Sequence, residues 1–194
     1  MADNKRLFII DGHALAFRSF YAMMKNPMRN SKGEELGAVF GFASTIVRII
    51  DEESPEYFAV AFDPSGPTFR HDDYPQYKAT RQKMPDEMRT QMPRLFEVTE
   101  SLGIKTLIKE KFEADDVIAT VALEAAAKDI DVYLVTADKD FGQIVSPKIK
   151  MYNLRSRQGG VEIIDAAAIE EKFGVPPEKM LDLLALMGDT ADNV

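Results

Sequence analysis

The sequence of 194 residues has no cysteine and only two histidines, His13 and His71. The lack of thiols excludes a disulfide framework and a thiolate zinc site, and it fits the reducing cytoplasm. Two histidines alone also make a zinc site an unfavourable interpretation. The apolar run at residues 7–10 is too short for a signal peptide or a membrane span. We therefore expect a soluble cytoplasmic protein that has no membrane partner.

The chain also lacks internal repeats, low-complexity tracts and a Gly-x-Gly-x-x-Gly pattern after its first apolar run. The last absence argues against a dinucleotide site of the Rossmann type. Hydrophobic residues make up 45% of the sequence, which is enough for one well-formed core. We expect residues 1–194 to form a single domain.

Short apolar runs alternate with helix-like stretches along the chain. The predicted strands are Arg6–Asp11, Tyr57–Asp63, Ile104–Ile108 and Asp131–Thr136, with weaker strands at Ile149–Tyr152 and Val161–Ile164 around a loop at Arg155–Gly160. The predicted helices are Ala38–Glu53, Asp86–Leu102, Ala114–Lys128, Lys139–Ile144, Ala166–Phe173 and Glu178–Met187. This alternation predicts an α/β fold with a mostly parallel central sheet and helices on both faces. The polar, aromatic segment from Pro64 to Pro85 shows no strand pattern, and structureless loops of this length are usually functional or disordered; we expect a function.

Acidic residues stand where the predicted strands end. Asp11 closes the first strand, Asp63 closes the second, and Asp138 follows the fourth. In a parallel sheet these ends share one edge, and ligands bind outside that edge. A helix start and the segment after the fourth strand should bring further acids to the same edge: Glu113, Asp115, Asp116 and Asp140.

So many carboxylates in one cleft require a counter-charge, because like charges and desolvation both raise the pKa of each acid. Oxygen-rich sites of this kind suit Mg²⁺ or Mn²⁺. The acids exceed the needs of one ion, so two or more ions are expected. Paired ions are a familiar means of promoting displacement at phosphorus.

The net charge of −8 argues at first against a nucleic-acid ligand. However, nine of the 32 acids are candidates for one site; without them, 23 acids face 24 Lys and Arg residues. The excess negative charge is then local. The nine candidates are Asp11, Asp63, Glu113, Asp115, Asp116, Asp138, Asp140, Asp189 and Asp192.

Each acidic motif also has a plainer interpretation. Asp11 before Gly12 is typical of a turn, and acids in the first turn of a helix act as caps. The coincidence of all these acids at one edge favours a site. A metal-dependent phosphatase is a competing hypothesis, but that chemistry usually needs Asp-x-Asp at the first strand, and position 13 is histidine. A non-catalytic nucleic-acid binder is a third possibility.

A basic, aromatic stretch follows in the segment from Gln76 to Arg94. Two acids face five bases there, and Tyr74 and Tyr77 lie within or beside it; the bases are Lys78, Arg81, Lys83, Arg89 and Arg94. Cations beside aromatic faces suit a single-stranded nucleic acid. On charge count alone, a solvated helix face is the plainer interpretation.

Eight ordered motifs resemble those of the 5′-nuclease family, which includes flap endonucleases and has a PIN-like α/β fold. They are Phe8–Gly12, Phe17–Arg18, Phe62–Asp63, Phe69–Arg70, Tyr77–Lys78 with Arg81, Glu113–Asp116, Thr136–Asp140 and Gly188–Asn193. The segments Tyr77–Arg81 and Leu184–Asp189 are most similar to the branch found at the N-terminus of bacterial DNA polymerase I.

The resemblance implies roles for these residues. One metal ion would be held by Asp11, Asp63, Glu113 and Asp115, and a second by Asp138, Asp140 and Asp192. Asp116 and Asp189 would lie near both ions or act through water. Residues 69–94 would form a helical arch over the site, in which Lys78 and Arg81 contact the scissile phosphate. Further nucleic-acid contacts would come from Arg18, Arg70 and Tyr77.

The resemblance also implies the reaction, a metal-dependent hydrolysis of phosphodiesters at or near a 5′ end. The implied substrates are DNA with a 5′ flap, nick or 5′ end, and RNA primers. We expect a monomer, either the nuclease part of a DNA polymerase I or a stand-alone 5′-nuclease. In the family a duplex-binding helix–turn–helix continues past Val194, so residues 178–194 would be its incomplete start. Weakened activity is a further expectation.

Overall fold

The computed structural model describes residues 5–154, 160–190 and 192–193. Six strands form one sheet: β1 (Arg6–Asp11), β2 (Tyr57–Ala61), β3 (Lys105–Leu107), β4 (Asp131–Val135), β5 (Ile149–Leu154) and β6 (Val161–Ile164). Their order is β3-β2-β1-β4-β5-β6. All neighbours are parallel except β5 and β6, which are antiparallel. The predicted mostly parallel sheet is confirmed.

The helices in the described ranges are α1 (Gly12–Met23), α2 (Gly37–Glu53), α3 (Phe69–Asp73), α4 (Asp86–Arg89), α5 (Met92–Ser101), α6 (Ala114–Ala126), α7 (Ala166–Phe173) and α8 (Met180–Met187). Residues Lys139–Ile144 and Pro177–Lys179 form 3-10 helices. No helix of the described residues is long and apolar enough to cross a membrane. The predicted loop at Arg155–Gly160 lies outside the described residues, except for Gly160.

Apolar side chains cover both faces of the sheet. Along β1, Leu7 and Ile9 join a core with α6, α7 and α8, whereas Phe8 and Ile10 join a second core with α1, α2 and α5. Phe8, Ile9 and Ile10 are fully buried, and each such burial stabilises the fold by about 1.5–3 kcal/mol. A strand that is covered on both sides must be apolar throughout, which explains the uninterrupted hydrophobic runs.

Helix α1 was not among the predicted helices. Its apolar residues Leu15, Ala16 and Phe20 recur with a helical period, but Gly12 beside Asp11 indicated a turn. Glycine is needed at this position because a Cβ there would lie 2.5 Å from Cε1 of Phe62. Close approach of α1 to the β2 end, and not a turn, therefore explains Gly12.

The predicted single helix Asp86–Leu102 was wrong, because it is divided into α4 and α5. Pro93 has no N–H with which to continue the hydrogen bonds across the junction. Gln91 instead turns its side chain inward, where its Oε1 accepts the backbone N–H of Ala38 at 2.9 Å. The segment from Pro64 to Pro85, predicted as a loop, contains one short helix, α3.

Candidate active site

The carboxyl ends of three neighbouring strands bring three predicted acids to one edge of the sheet. β1 pairs in parallel with β2 on one side and with β4 on the other. Asp11 is the last residue of β1, and Asp63 and Asp138 follow the ends of β2 and β4. The parallel register thus produces the convergence that the sequence predicted.

Asp11 is both a helix cap and a member of an acidic group. It is 8% exposed, and its Oδ1 accepts the backbone N–H of Ala14 at 2.9 Å. The pKa of Asp11 is raised to about 6, chiefly by burial and also by the charges of Asp63 and Asp138, while the hydrogen bond from Ala14 opposes the increase. Capping alone therefore does not describe this residue, because its ionised form is held at a cost.

Asp63 ties the start of α6 to the end of β2. Its Oδ1 accepts the backbone N–H of Ala114 at 2.8 Å, and its own N–H donates to Nδ1 of His13 at 3.2 Å. Glu113, the N-cap of α6, is 7% exposed, and its N–H donates to Oδ2 of Asp116 at 3.0 Å. These bonds hold the acidic start of α6 against the edge of the sheet.

Asp115 is the most strongly perturbed of these acids. The pKa of Asp115 is raised to about 7, chiefly by burial and also by the charges of Asp11, Asp138 and Asp63, while Lys78 opposes the increase. Its carboxylate forms no hydrogen bond or ion pair with the described part of the chain. A cap at the start of α6 would be satisfied by backbone N–H groups, so the capping interpretation does not account for Asp115.

A second group of acids lies around Asp140. Oδ1 of Asp138 accepts the N–H of Asp140 at 3.0 Å. Burial raises the pKa of Asp140, and Asp138, Asp189 and Asp192 add to the effect, while Lys139 opposes it. Asp138 influences both Asp115 and Asp140, so it joins the two groups.

Tyr77 and Lys78 reach the acids from the segment that follows α3. Nζ of Lys78 lies 2.9 Å from Oε1 of Glu113 and 3.9 Å from Oδ1 of Asp192. The hydroxyl of Tyr77 lies 2.9 Å from Oε2 of Glu113 and 3.1 Å from Oδ2 of Asp192. Burial raises the pKa of Tyr77, as do these carboxylates, so the phenol stays protonated and donates. Tyr77 faces the acids in this conformation, whereas Tyr74 is 39% exposed.

The remaining predicted cations behave differently from one another. Arg70 donates two hydrogen bonds of 2.7 and 2.8 Å to Asp116, and these bonds lower the pKa of Asp116. Arg81 forms no ion pair among the residues described. The pKa of His13 is lowered, chiefly by burial; Asp63 opposes this decrease, and the charge of Arg81 adds to it. Arg18 lies on α1, outside the acidic group.

The acids and the aromatic–cationic segment enclose a cleft of about 300 Å³. Asp115, Asp140 and Asp192 line it together with the following residues: Arg70, Tyr77, Glu113, Asp116, Ala119, Phe141, Gln143 and Ile144. Asp189 lies nearby, with its Oδ2 at 3.8 Å from Nζ of Lys139.

The donor set suits a hard divalent cation in its chemistry. The oxygen donors are carboxylates, and the raised pKa values of Asp11 and Asp115 indicate a need for positive charge. Within residues 5–154, 160–190 and 192–193, however, no three Asp, Glu or His side chains are arranged to hold an ion as they stand. These carboxylates are ligands of the type that a hard divalent cation prefers. Which of them bind an ion stays a prediction.

Comparison with protein families decides the classification. Residues 6–174 match the family described as 5′-3′ exonuclease, N-terminal resolvase-like domain. The chain belongs to this exonuclease family. The resemblance inferred from the sequence motifs is confirmed.

Relatives of this exonuclease-family chain include bacterial DNA polymerases I. The enzyme of Bacillus subtilis is 36% identical over 194 residues, which cover 100% of this chain and 22% of the relative. That of Pseudomonas aeruginosa is 39% identical over 188 residues, which cover 97% of this chain and 20% of the relative. The chain thus spans about a fifth of the length of these relatives.

Solved structures support the fold of the exonuclease domain. The 5′-exonuclease of bacteriophage T5 with bound divalent metal ions (zinc) has a TM-score of 0.75 at 23% identity, covering 98% of this chain and 69% of that one. A flap endonuclease of the same phage, in complex with DNA and metal ions, has a TM-score of 0.73 at 22% identity, with the same coverage. The catalytic core of Rad2 with a DNA substrate has a TM-score of 0.57 at 18% identity, covering 98% and 56%.

Sequence reasoning missed several residues around the candidate site. His13 accepts the N–H of Asp63, and Lys139 lies between two acids and beside Asp189. Asn193 donates from Nδ2 to the carbonyl of Gln76, and its own carbonyl accepts the hydroxyl of Tyr74 at 3.2 Å. The available signal was their position within or beside acidic motifs, because such long-range bonds have no local pattern.

Proposed function

We propose that this chain is a divalent-metal-dependent 5′-3′ exonuclease and 5′-flap endonuclease. The observation that carries this proposal is the acidic group at the carboxyl edge of the sheet, where the pKa values of Asp11 and Asp115 are raised to about 6 and 7. Acids with a purely structural role would be paired with cations, whereas the raised pKa values indicate that Asp11 and Asp115 lack the positive charge that a bound metal ion would supply. The substrates proposed are DNA with a 5′ flap, nick or 5′ end, and RNA primers paired with DNA.

The metal ions proposed are Mg²⁺ or Mn²⁺, two or more per site. Asp11, Asp63, Glu113 and Asp115 would hold one, and Asp138, Asp140 and Asp192 another, with Asp116 and Asp189 close to both. Asp138 influences Asp115 as well as Asp140, which supports two adjoining sets. When bound, such ions supply an activated water and neutralise charge at phosphorus.

The cations of the segment after α3 would orient the cleaved strand. Lys78 lies against Glu113, so a phosphate that enters the cleft can replace a carboxylate as its partner. Arg81 has no acidic partner among the described residues and is available for the same phosphate. Donors placed at a phosphate whose charge increases in the transition state lower the barrier. Tyr77 would hold Glu113 and Asp192 in position through its hydroxyl.

The biological setting is also part of the proposal. The chain would act as the nuclease part of a DNA polymerase I in replication and repair, as a cytoplasmic monomer. Its similarity over its whole length to a fifth of the Bacillus subtilis polymerase supports this assignment. A stand-alone 5′-nuclease is the alternative that the same similarity leaves open.

The test is cleavage of a 5′-flap DNA and of an RNA–DNA hybrid with Mg²⁺, Mn²⁺ or EDTA. We expect release of the flap with either ion and none with EDTA. The double variant Asp115→Asn with Asp138→Asn should lose activity and Mn²⁺ binding, measured by calorimetry. Asp129→Asn, at the opposite edge of the sheet, is the matched control. Full activity of the double variant, or cleavage in EDTA, would remove these acids from the reaction.

A further inference from the structure

The sheet has an open edge at β3. This strand pairs with β2 and has no second neighbouring strand within residues 5–154, 160–190 and 192–193. The carbonyl oxygen of Leu107 accepts the N–H of Phe62 at 3.0 Å, so the backbone groups of Leu107 face β2. Because successive residues of a strand direct their backbone groups to alternate sides, those of Thr106 face away from the sheet. An edge of this kind can pair with a further extended chain.

A groove of about 510 Å³ runs beside this open edge, between β3 and α6. We call it the β3 groove. Its apolar lining consists of Leu107, Ile108 and Phe112 on the strand side and of Val117 and Val121 on α6. Ile108 and Phe112 are 48% and 42% exposed. Large apolar side chains that are exposed together around a concave surface are typical of a place where a partner binds.

Two lysines give the β3 groove a positive charge. Lys105 and Lys109 line it and are exposed, and neither forms an ion pair with any residue that the structure describes. The acid that lines the groove, Asp116, receives two hydrogen bonds of 2.7 and 2.8 Å from Arg70 and is therefore neutralised. Glu110, in the turn beyond, is not a lining residue. The groove thus favours an occupant that carries acids.

The spacing of the two lysines sets the pattern that an occupant needs. Side chains at every second position of an extended chain share one face. Lys105 and Leu107 therefore lie on the same face, on which Leu107 packs against the core that contains α6. Lys109 follows two residues later, about 13 Å from Lys105 in an extended chain. A strand paired with this segment would place an acid opposite each lysine and an apolar residue opposite Leu107.

Two other occupants fit the β3 groove less well. A second copy of this chain, paired edge to edge, would bring four lysines together, and like charges that face one another are unfavourable. A nucleic acid would satisfy the lysines, but it has no row of N–H and C=O groups with which to extend a sheet. Moreover, no arginine is among the described residues that line the groove, whereas arginine is the side chain that binds phosphate through two parallel hydrogen bonds.

We infer that the β3 groove binds an extended, acidic segment of a partner protein, which adds to the sheet as a strand beside β3. The segment has the pattern acid-x-apolar-x-acid. Its acids pair with Lys105 and Lys109, and its central side chain packs over Leu107. Asp116 lines both this groove and the acidic cleft, so the partner is held beside the candidate site without entering it. This inference does not depend on the proposed nuclease function.

The test is a charge swap, measured by fluorescence anisotropy in EDTA. The probe is the peptide Ser-Thr-Glu-Thr-Ile-Thr-Glu-Thr-Ser with fluorescein at its N-terminus, and its counterpart has Lys in place of both Glu. We expect the wild type to bind the acidic peptide about tenfold more tightly, although the net charge of −8 favours the basic one. Lys105→Glu with Lys109→Glu should reverse this preference. Lys25→Glu with Lys128→Glu makes the same change of charge outside the groove and should preserve it.

Pairing along the backbone requires a second measurement. Hydrogen exchange of the Thr106 amide should slow when the acidic peptide binds, because this N–H faces the open edge. N-methylation of the peptide groups that face β3 should weaken binding about tenfold, whereas N-methylation of the alternate groups should have little effect. Melting curves show whether each variant is folded. Both lysine pairs are exposed, so all the variants should melt near the wild type.

Several outcomes would overturn the inference. One is the absence of binding by acidic peptides with Ile, Leu, Val or Phe at the central position, and another is a preference that the charge swap does not change. A ten-residue oligothymidylate that binds the wild type but not the swapped variant would assign the groove to nucleic acid. A dimer in sedimentation that the swap dissociates would assign it to a second copy. Flap cleavage is measured separately, so failure of the proposed function and failure of this inference are distinguishable.

Discussion

The two edges of the sheet use the same residue types to opposite effect. At the amino-terminal edge, Arg6 pairs with Glu53 at 3.3 Å, and Lys148 pairs with Asp129 and Asp131 at 2.7 and 3.1 Å. Each of these acids has a cation beside it. At the carboxyl edge, burial and neighbouring acids raise the pKa of Asp11, Asp115 and Asp140.

The difference shows how a functional site lowers the stability of a fold. Balanced ion pairs at a surface contribute little to stability but do not oppose it. Buried carboxylates beside one another oppose folding unless a ligand neutralises them. The carboxyl edge is therefore the place where this protein gives up stability, and perturbed groups of this kind mark binding or catalytic sites.

Removing the acid that joins both acidic groups should produce the largest effect. Asp138→Asn is expected to lower kcat on a 5′-flap by about 10³-fold, on the order of 4 kcal/mol, because charge stabilisation at phosphorus depends on both groups. Asp140→Asn, which affects one group, should cost less, and Asp129→Asn at the other edge should cost nothing. Equal rates for Asp138→Asn and Asp129→Asn would abolish the distinction between the edges.

The backbone at the carboxyl edge is closely packed around Gly12. A Cβ on Gly12 would lie 2.5 Å from Phe62 and 2.7 Å from the carbonyl oxygen of Ala61. Gly12→Ala should therefore lower the free energy of unfolding by about 3 kcal/mol, as overpacking does elsewhere. The control is Gly66→Ala, where a Cβ would meet nothing within 4 Å. Urea denaturation measures both, and a stable Gly12→Ala protein would mean that α1 can move away from β2.

These two edges also show what the sequence could predict of the fold. Strand β1 has the predicted bounds, because a run that is covered on both faces must be apolar throughout. The edge strand β6 also has the predicted bounds, although it contains Glu162 and the exposed Ile163. Helix α1 was missed because Asp11–Gly12 has the local pattern of a turn, whereas the need for glycine comes from Phe62, which is 50 residues away. The break before α5 has a local cause that the prediction overlooked, Pro93, and a non-local one, the contact of Gln91 with Ala38.

Part of the candidate site could likewise be predicted from the sequence, and part could not. Acids at strand ends could be placed together because parallel strands share one edge. The pairing of Tyr77 with Glu113 and Asp192 could not be predicted, because it depends on how distant segments pack. The sequence shows where charged residues occur along the chain, but the fold determines which of them lack a partner.

The next and smaller effect concerns the free energy of unfolding, whose dependence on pH should differ between acids at the two edges. Asp115 has a pKa of about 7 when folded and an ordinary value of 3.8, so the folded chain retains a proton that the unfolded chain loses between these values. Without metal, stability should fall as pH rises from about 4 to 7. Asp115→Asn should abolish about 1–3 kcal/mol of that decrease. Urea denaturation in EDTA at pH 5, 6, 7 and 8 measures this, and added Mg²⁺ should reduce the gap between the variant and the wild type.

Asp129→Asn is the control for that experiment, since its carboxylate is paired with Lys148 at the amino-terminal edge. The gap between this variant and the wild type should stay constant from pH 5 to pH 8. If the gap for Asp115→Asn is equally constant, burial at the carboxyl edge does not hold a proton on Asp115. The contrast between the edges would then concern geometry and not charge.

The smallest effect should come from an ion pair at the amino-terminal edge. Arg6→Gln breaks the pair with Glu53 and the hydrogen bond to the Glu53 carbonyl, and both groups are about one-third exposed. The expected loss is about 1 kcal/mol or less, and it should shrink in high salt because the pair is screened. Flap cleavage should be unchanged, since the acids at the other edge keep their surroundings. A loss of cleavage without a loss of stability would show that the two edges are coupled. The cleavage activity could then not be assigned to the carboxyl edge alone.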